Sequence, residues 1–322
     1  MQRRFIASLV AAATALTAAV SAVAQTFPAK PIRLIVPFAA GGGTDTMGRV
    51  LAQKMSESIG QPVVVENRAG SDTIVGADFT AKAPPDGHTI LLALDIAVTM
   101  NQWLYSKLPY DPVKDLAPVS LVASTPLILV GNPNVPVRTM ADLVSHAKAN
   151  PGKLNYGSGA IVAQLIIELL KQSTGIQMVF VPFKGAAPTT QALLANDIQF
   201  AIADFFSFLP HIKSGKLVAI ASTGRTREPT LPDMPTMIES GYPNMEVGNW
   251  WAVYAPGGTP APVVERLNRE VVKAVASPEV TERYRAILVN PASSTPEALA
   301  ARQAADADRW RGVIRSAGIK LD

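Results

Sequence analysis

The chain contains no cysteine. That excludes disulfides, thiol nucleophiles, iron–sulfur clusters and cysteine-based zinc sites, and an exported protein of this size needs no cross-links when its core is large. Histidine is nearly as scarce, with three in 322 residues. His88 follows the turn signature Pro85-Asp86-Gly87, His146 falls on the polar side of a helical pattern, and His211 sits in a Pro-His-Ile-Lys segment. None is spaced with another as HExxH or as a His pair, so neither a metal site nor a catalytic set is expected of them. Charged side chains are 17% of the residues, and no dense Lys/Arg block occurs. Setting aside residues 1–24, which carry Arg3 and Arg4 and no acid, leaves 27 basic against 25 acidic side chains. A balance so close to neutral argues against a nucleic-acid binder, which needs a concentrated basic face. Three motifs are missing too. Thr46 stands where GxGxxG needs its last glycine, no GxxxxGK[ST] phosphate loop occurs, and Tyr156 and Ala160 flank Ser158 where a GxSxG elbow needs glycines.

What is present begins with a leader. Arg3 and Arg4 precede the apolar run Phe5 to Val23, and Ala22-Val23-Ala24 supplies a small-x-small cleavage pattern with Gln25 as the first mature residue. This is the layout of a cleaved secretory signal peptide and implies a periplasmic protein. The run is long enough to span a bilayer, but the cleavage pattern and the lack of a basic stop-transfer flank argue against a retained anchor. Removing 24 of 322 residues leaves 298, a length comfortable for two lobes.

Short β-branched runs alternate with helical patterns through most of those residues. Ile32–Val36, Val63–Glu66, Thr89–Leu92, Leu127–Val130, Leu154–Tyr156, Met178–Pro182, Gln199–Ala203 and Val218–Ser222 read as strands. Thr44–Ser58, Thr73–Ala83, Met140–Asn150 and Gln164–Thr174 read as helices between them, which predicts parallel sheets covered on both faces. In the C-terminal part Val263, Val264, Leu267, Val271 and Val275 recur at helical spacing over Pro262–Ala276. Further helices are expected over Pro278–Leu288 and Pro296–Ser316, with Ser277 and Thr295 as N-caps. Linker-like stretches at Ala123–Pro126 and Ala255–Pro262 predict that the chain crosses between lobes twice.

Two strand-to-helix loops are the candidate binding elements. In Pro37 to Asp45 three consecutive glycines, Gly41 to Gly43, let the backbone approach a ligand, and the N–H groups of the helix start favour a carboxylate. The loop lies at the carboxyl end of a strand, where open α/β sheets bind ligands. The same residues equally fit a plain turn capped by Thr44 or Asp45. In Asn155 to Gly159, Ser158 and the N–H groups beyond it can grip a second polar group, or Ser158 can simply cap the next helix. Asp204, after Phe200–Ala203, reads first as a helix cap and second as an acceptor for a ligand. Phe205, Phe206, Phe208, Trp250 and Trp251 fit core or lobe-interface packing, or a tryptophan covering an apolar ligand at a cleft mouth.

An ordered series of short segments runs through nearly the whole mature chain. It comprises Phe27–Phe38 (FPAKPIRLIVPF), Gly41–Asp45 (GGGTD), Val63–Gly70 (VVVENRAG), Pro85–Leu92 (PDGHTILL), Leu154–Ser158 (LNYGS), Val181–Gly185 (VPFKG) and Leu231–Thr236 (LPDMPT). In this order and spacing they resemble the Bug family of periplasmic solute-binding proteins, the TctC-like receptors of tripartite tricarboxylate transporters. The resemblance implies an α/β, two-lobed periplasmic binding protein fold with a central cleft and crossing strands, the C-terminal helices returning to the first lobe. Residues 25–124 plus 253–322 would form lobe 1 and residues 125–252 lobe 2. It implies that Phe38, Ala39, Ala40, Gly41, Gly42 and Thr44 on one loop, and Ser158, Gly159, Ala160 and Ile161 on the other, hold the polar ends of a carboxylated solute. Backbone N–H groups and water do this in place of arginine, neutralising a carboxylate without burying a full opposite charge. Asn67, Lys184, Asp204 and Trp250 complete the implied ligand set. The expected partners are a small carboxylate and the membrane subunits of the transporter, with no catalytic residue, cofactor, metal or nucleic acid, and a monomeric state.

Two departures from the family pattern bear on specificity. Ser71-Asp72-Thr73-Ile74 follows Gly70 where relatives continue with small residues, and Ala160-Ile161-Val162-Ala163-Gln164-Leu165 follows Gly159 where relatives have Gly/Ser and then a His-Leu pair. Bulkier apolar groups at the mouth favour an aromatic dicarboxylate such as terephthalate over a small hydroxy acid like citrate. The competing readings are an exported enzyme using carboxylates as acid and base, and a ligand-responsive partner of a membrane sensor.

Overall fold

The computed structural model describes residues 27–322, so the expected leader and Gln25 lie outside the described residues. Runs with no polar alternation become strands buried on both faces. Ile32, Leu34, Ile35 and Val36 of β1 (Ile32–Val36) have no exposed surface. Helix α1 (Gly43–Ile59) carries the chain to β2 (Val63–Asn67), and α2 (Ile74–Ala81) carries it to β3 (Thr89–Leu94). Both strands lie parallel to β1 and flank it. Two single-turn helices, α3 (Ile96–Thr99) and α4 (Asn101–Leu104), precede the long strand β4 (Leu116–Pro126).

Strand β5 (Ile128–Gly131) opens a second sheet. It continues through α5 (Met140–Ala149), β6 (Asn155–Ser158), α6 (Ile161–Thr174), β7 (Val179–Pro182), α7 (Ala186–Ala195), β8 (Phe200–Ala203), α8 (Phe205–Lys213) and β9 (Val218–Ser222). The chain then returns to the first sheet as β10 (Gly248–Pro256) and ends with α9 (Ala261–Val275), α10 (Pro278–Ala286), the short β11 (Asn290–Pro291) and α11 (Pro296–Ala317). Ser277 and Thr295 cap α10 and α11, accepting from the N–H groups of Val280 and Ala298. The strand orders are β11-β4-β10-β3-β1-β2 and β7-β6-β8-β5-β9.

The sheets are mixed rather than parallel. Strand β10 runs antiparallel to both β3 and β4, and β5 runs antiparallel to β8 and β9. The reversal follows from the crossings, since a chain that leaves one sheet and comes back must enter against the direction of its neighbours. Strands β4 and β10 escaped the periodicity reading because their runs (LAPVSLVASTP and GNWWAVYAP) contain Pro, Ser and Gly and lack a clean β-branched core. The first crossing falls at Leu127, next to the expected stretch. The second lies between Met245 and Gly248, ahead of Ala255–Pro262, whose first two residues are buried strand and whose last two open α9.

The last C-terminal helix returns to the first sheet and also reaches beyond it. Leu299 of α11 packs under the first sheet, and the buried amide of Gln303 accepts from Tyr254 Oη at 3.0 Å and donates to the Pro112 carbonyl at 3.0 Å. Half a helix further on, Trp310, Val313 and Ile314 join the core cluster that also holds Leu165, Ile166 and Leu170 of α6. Helix α11 therefore bridges both lobes behind the crossing strands.

Candidate functional site

The loop after β1 is built on one left-handed glycine. Gly41 has φ +86°, a conformation that favours glycine. The N-cap of α1 is Gly42, and no side chain among the described residues caps the helix, so the turn is not closed by Thr44 or Asp45 as a simple cap would require. Asp45 instead points back under the loop and accepts from the Gly41 N–H at 2.9 Å, Arg49 Nε at 2.9 Å and Asn67 Nδ2 at 2.8 Å. Burial pushes its pKa up, but the hydrogen bonds from Arg49, Gly41 and Asn67 outweigh that and hold it at about 2. Asn67 also donates to the Phe38 carbonyl at 3.1 Å. Asn67 is thus a brace beneath the loop, Phe38 packs partly into the core, and Ala39 to Gly42 stay exposed.

The second loop repeats the arrangement by other means. Ser158 is buried, and its hydroxyl both accepts from the Ala160 N–H and donates to the Ala160 carbonyl, each at 2.9 Å. It therefore stiffens the turn, while the N-cap of α6 is Ala160, which offers no side-chain cap. A Cβ on Gly159 would lie 2.3 Å from Gly185 Cα, so only glycine lets these two backbones touch. Two helices thus begin beside the cleft with their first-turn N–H groups free of side-chain caps, which is a favourable terminus for an anion.

At the start of α1 lies a cleft of about 450 Å³. Gly43, Thr44 and Met47 of α1 line it from the first lobe together with residues 286–289, and Asp204, Phe205 and Phe206 line it from the second. Asn249 and Trp251 of the crossing strand form its floor. A smaller cavity of about 100 Å³ adjoins it through Asp204 and Asn249 and is lined by Ser158, Gly159, Ala160 and Thr189. Trp251 Nε1 donates to Thr44 Oγ1 at 3.1 Å, tying the indole to the start of α1. Asp204 is the N-cap of α8 and accepts from the N–H and hydroxyl of Ser207 at 3.0 and 3.1 Å. On the first-lobe wall Leu288 has φ +57°, and its carbonyl accepts from Thr125 Oγ1 at 3.2 Å.

Of the residues singled out from sequence, Thr44, Ser158, Gly159, Ala160 and Asp204 line these two cavities. Phe38, Ala39, Ala40, Gly41, Gly42, Ile161 and Lys184 line neither, with Ile161 half-buried against the core and Lys184 exposed, and Asn67 braces the first loop. Trp250 faces the opposite side of its strand, fully buried, with Nε1 bonded to Asp306 at 2.9 Å, so the cleft tryptophan is Trp251. Sequence reading missed Met47, Asn249 and the wall at 286–289. Strict alternation along β10 puts Asn249 and Trp251 on one face and Trp250 on the other, and that signal was available once the strand was known. The variant loop at Ser71, Asp72 and Thr73 takes three successive positive φ values of 44°, 46° and 75° and is braced by Tyr105 Oη on Asp72 at 2.6 Å. It lines neither cavity.

Among the described residues no group of His, Asp or Glu is placed to hold a metal, and no helix is long and apolar enough to cross a membrane. The family model for the tripartite tricarboxylate transporter family receptor, TctC, matches residues 47–319. Protein BugT of Bordetella pertussis is 40% identical over 301 residues, covering 92% of each chain. Among solved structures, Rhodopseudomonas palustris Rpa4515 with adipate is 34% identical with a TM-score of 0.74, covering 91% of this chain and 99% of its own. MatC of the same organism with bound malate is 30% identical with a TM-score of 0.70, covering 89% and 100%. The chain belongs to the Bug/TctC family of periplasmic receptors of tripartite tricarboxylate transporters.

Proposed function

We propose that this receptor captures a small dicarboxylate with an apolar body, an aromatic one such as terephthalate, and presents it to the membrane subunits of a tripartite transporter. The observation that carries the reading is the pair of uncapped helix starts, with Gly43 and the apolar Met47, Phe206, Ile287 and Leu288 lining the larger cavity and the α6 start at Ala160 and Val162 lining the smaller one that adjoins it. A carboxylate at each helix start gains from backbone dipoles, and the hydrocarbon between gains from leaving water. Adipate in Rpa4515 and malate in MatC are acids of this general class held by proteins of the same fold. Ligand that reaches both loops only when the lobes close shifts the open–closed equilibrium toward closed. The working division is residues 25–124 plus 253–322 against 125–252, in a periplasmic monomer whose leader is removed on export.

The test is thermal unfolding of the mature chain against terephthalate, adipate, malate and citrate. A ligand that binds only the native state raises the melting temperature by mass action, by roughly 2.7 kcal/mol of stability at a hundredfold excess over Kd. The expected order is terephthalate and adipate above malate and citrate. A shift confined to hydroxy acids removes the aromatic preference, and no shift with any acid removes the receptor reading. The proposal contains no chemical step; product formed from a bound acid, detected by mass spectrometry, would overturn that part.

A further inference from the structure

A second cavity, of about 380 Å³, opens where the 223–229 loop of the second lobe faces Asn290 and Arg302 of the first across both crossing strands. It meets the carboxylate cleft only at Thr125 and Asn249. Most charges around it are already matched. Arg225 Nε donates to Glu246 at 3.1 Å, and Arg227 Nε donates to Glu239 at 2.9 Å. Two are met less fully. Arg302 stacks over the Trp250 ring at 5.4 Å and pairs with Asp306 at 3.8 Å, longer than a hydrogen bond. That carboxylate is already bonded to Trp250 Nε1 at 2.9 Å and to Arg309 at 2.7 Å. Among the described residues nothing accepts a hydrogen bond from the Arg302 guanidinium. On the opposite wall Glu228 is half-buried, has no cationic partner among the described residues, and is pushed up in pKa by burial alone.

A half-buried carboxylate with no cation and a guanidinium with N–H donors left over, both lining one cavity, complement a molecule carrying both charges. We propose that this cavity is a second binding site, for a small zwitterion of the amino-acid class, whose carboxylate docks on Arg302 and whose ammonium docks on Glu228. The guanidinium offers a planar fork matched to a carboxylate, and the volume suits a small ligand. Its two walls come from different lobes, so an occupant holds the lobes at one angle. That angle sets the gap between the carboxylate-binding loops, so the two sites are coupled. The coupling rests on the receptor reading, whereas binding of the zwitterion does not.

The experiment is calorimetric titration of the mature chain with neutral amino acids, each compared with its N-acetyl derivative and its methyl ester. One derivative removes the ammonium and the other the carboxylate. At least one amino acid is expected to bind, with a loss of tenfold or more on either modification. Arg302→Gln should abolish the difference between acid and ester, and Glu228→Gln, which removes no ion pair among the described residues, should abolish the difference between amine and acetamide. Saturating amino acid should then change the Kd for the cleft dicarboxylate, and by linkage the dicarboxylate should change the amino-acid Kd by the same factor. Binding that neither substitution alters places the amino acid in the carboxylate cleft and overturns the proposal, as does the absence of any amino-acid binding at millimolar concentration. Loss of dicarboxylate binding in the wild type, with zwitterion binding intact, overturns the receptor reading alone.

Discussion

Phe206 is 73% exposed although it is the second residue of α8 and lines the cleft. A large apolar side chain held in solvent at the mouth of a pocket is unfavourable until something covers it. Under the proposed function it would act on the middle of a ligand and leave the carboxylate ends untouched. Phe206→Ala should weaken terephthalate or adipate about tenfold, from losing roughly 1.4 kcal/mol of apolar burial, and leave malate within about twofold. Equal losses for all acids in direct titration would show that Phe206 acts on the loop rather than on the ligand. Leu288 on the facing wall keeps a positive φ without being glycine, a cost that is tolerated where the surroundings fix the backbone. Here the fixing contact is the hydrogen bond from Thr125 of the crossing strand.

At the level of elements, the β1–α1 junction depends on a carboxylate that lines neither cavity. Asp45 ties the Gly41 N–H, Arg49 and Asn67 together, and so joins β1, α1 and β2 at the point where the loop must hold its shape. Its folded pKa of about 2 lies below the unfolded value of 3.8. The ionised form therefore favours the fold above pH 3.8, and that contribution fades as pH falls through the folded pKa. Asp45→Asn should cost on the order of 1 kcal/mol at pH 7, discounted because Arg49 is half-exposed. The gap to the wild type in chemical denaturation should narrow steadily below pH 4. A gap that is constant with pH would assign the effect to lost hydrogen-bond geometry instead of charge. Behind the site the opposite sign holds for Asp95, at the end of β3. It is buried, and desolvation with Asp306 nearby raises its pKa well above the ordinary range.

For the molecule as a whole, α11 is the element that packs on both lobes. Its first half packs under the first sheet and its last turns pack on α6, with Gln172 Nε2 donating to Ser316 Oγ at 2.6 Å. The proposed closure would have to shift Trp310, Val313 and Ile314 against the second lobe, and close-packed apolar surfaces resist such a shift. Trp310→Ala should destabilise by about 3–5 kcal/mol, as large-to-small changes in a core do. It should also enlarge the radius of gyration of the ligand-free chain in small-angle scattering, so that saturating ligand contracts the variant more than the wild type. An unchanged radius with the same loss of stability would make α11 a buttress of one lobe only.

The residues by themselves determined a great deal. Short apolar runs such as Ile32–Val36, broken only by Arg33, read as buried strands, Ser277 and Thr295 before proline read as helix caps, and three glycines after a strand mark a loop at the carboxyl end of the sheet. All of these are local consequences of side-chain shape and backbone freedom, so a linear reading reaches them. The mixed direction of the sheets, the choice of Trp251 over Trp250, the use of Asn67 as a brace and the reach of α11 across both lobes were decided only by the tertiary structure. Each depends on which face of an element meets which neighbour far along the chain. A strand's two faces look alike in sequence until the packing around it tells them apart.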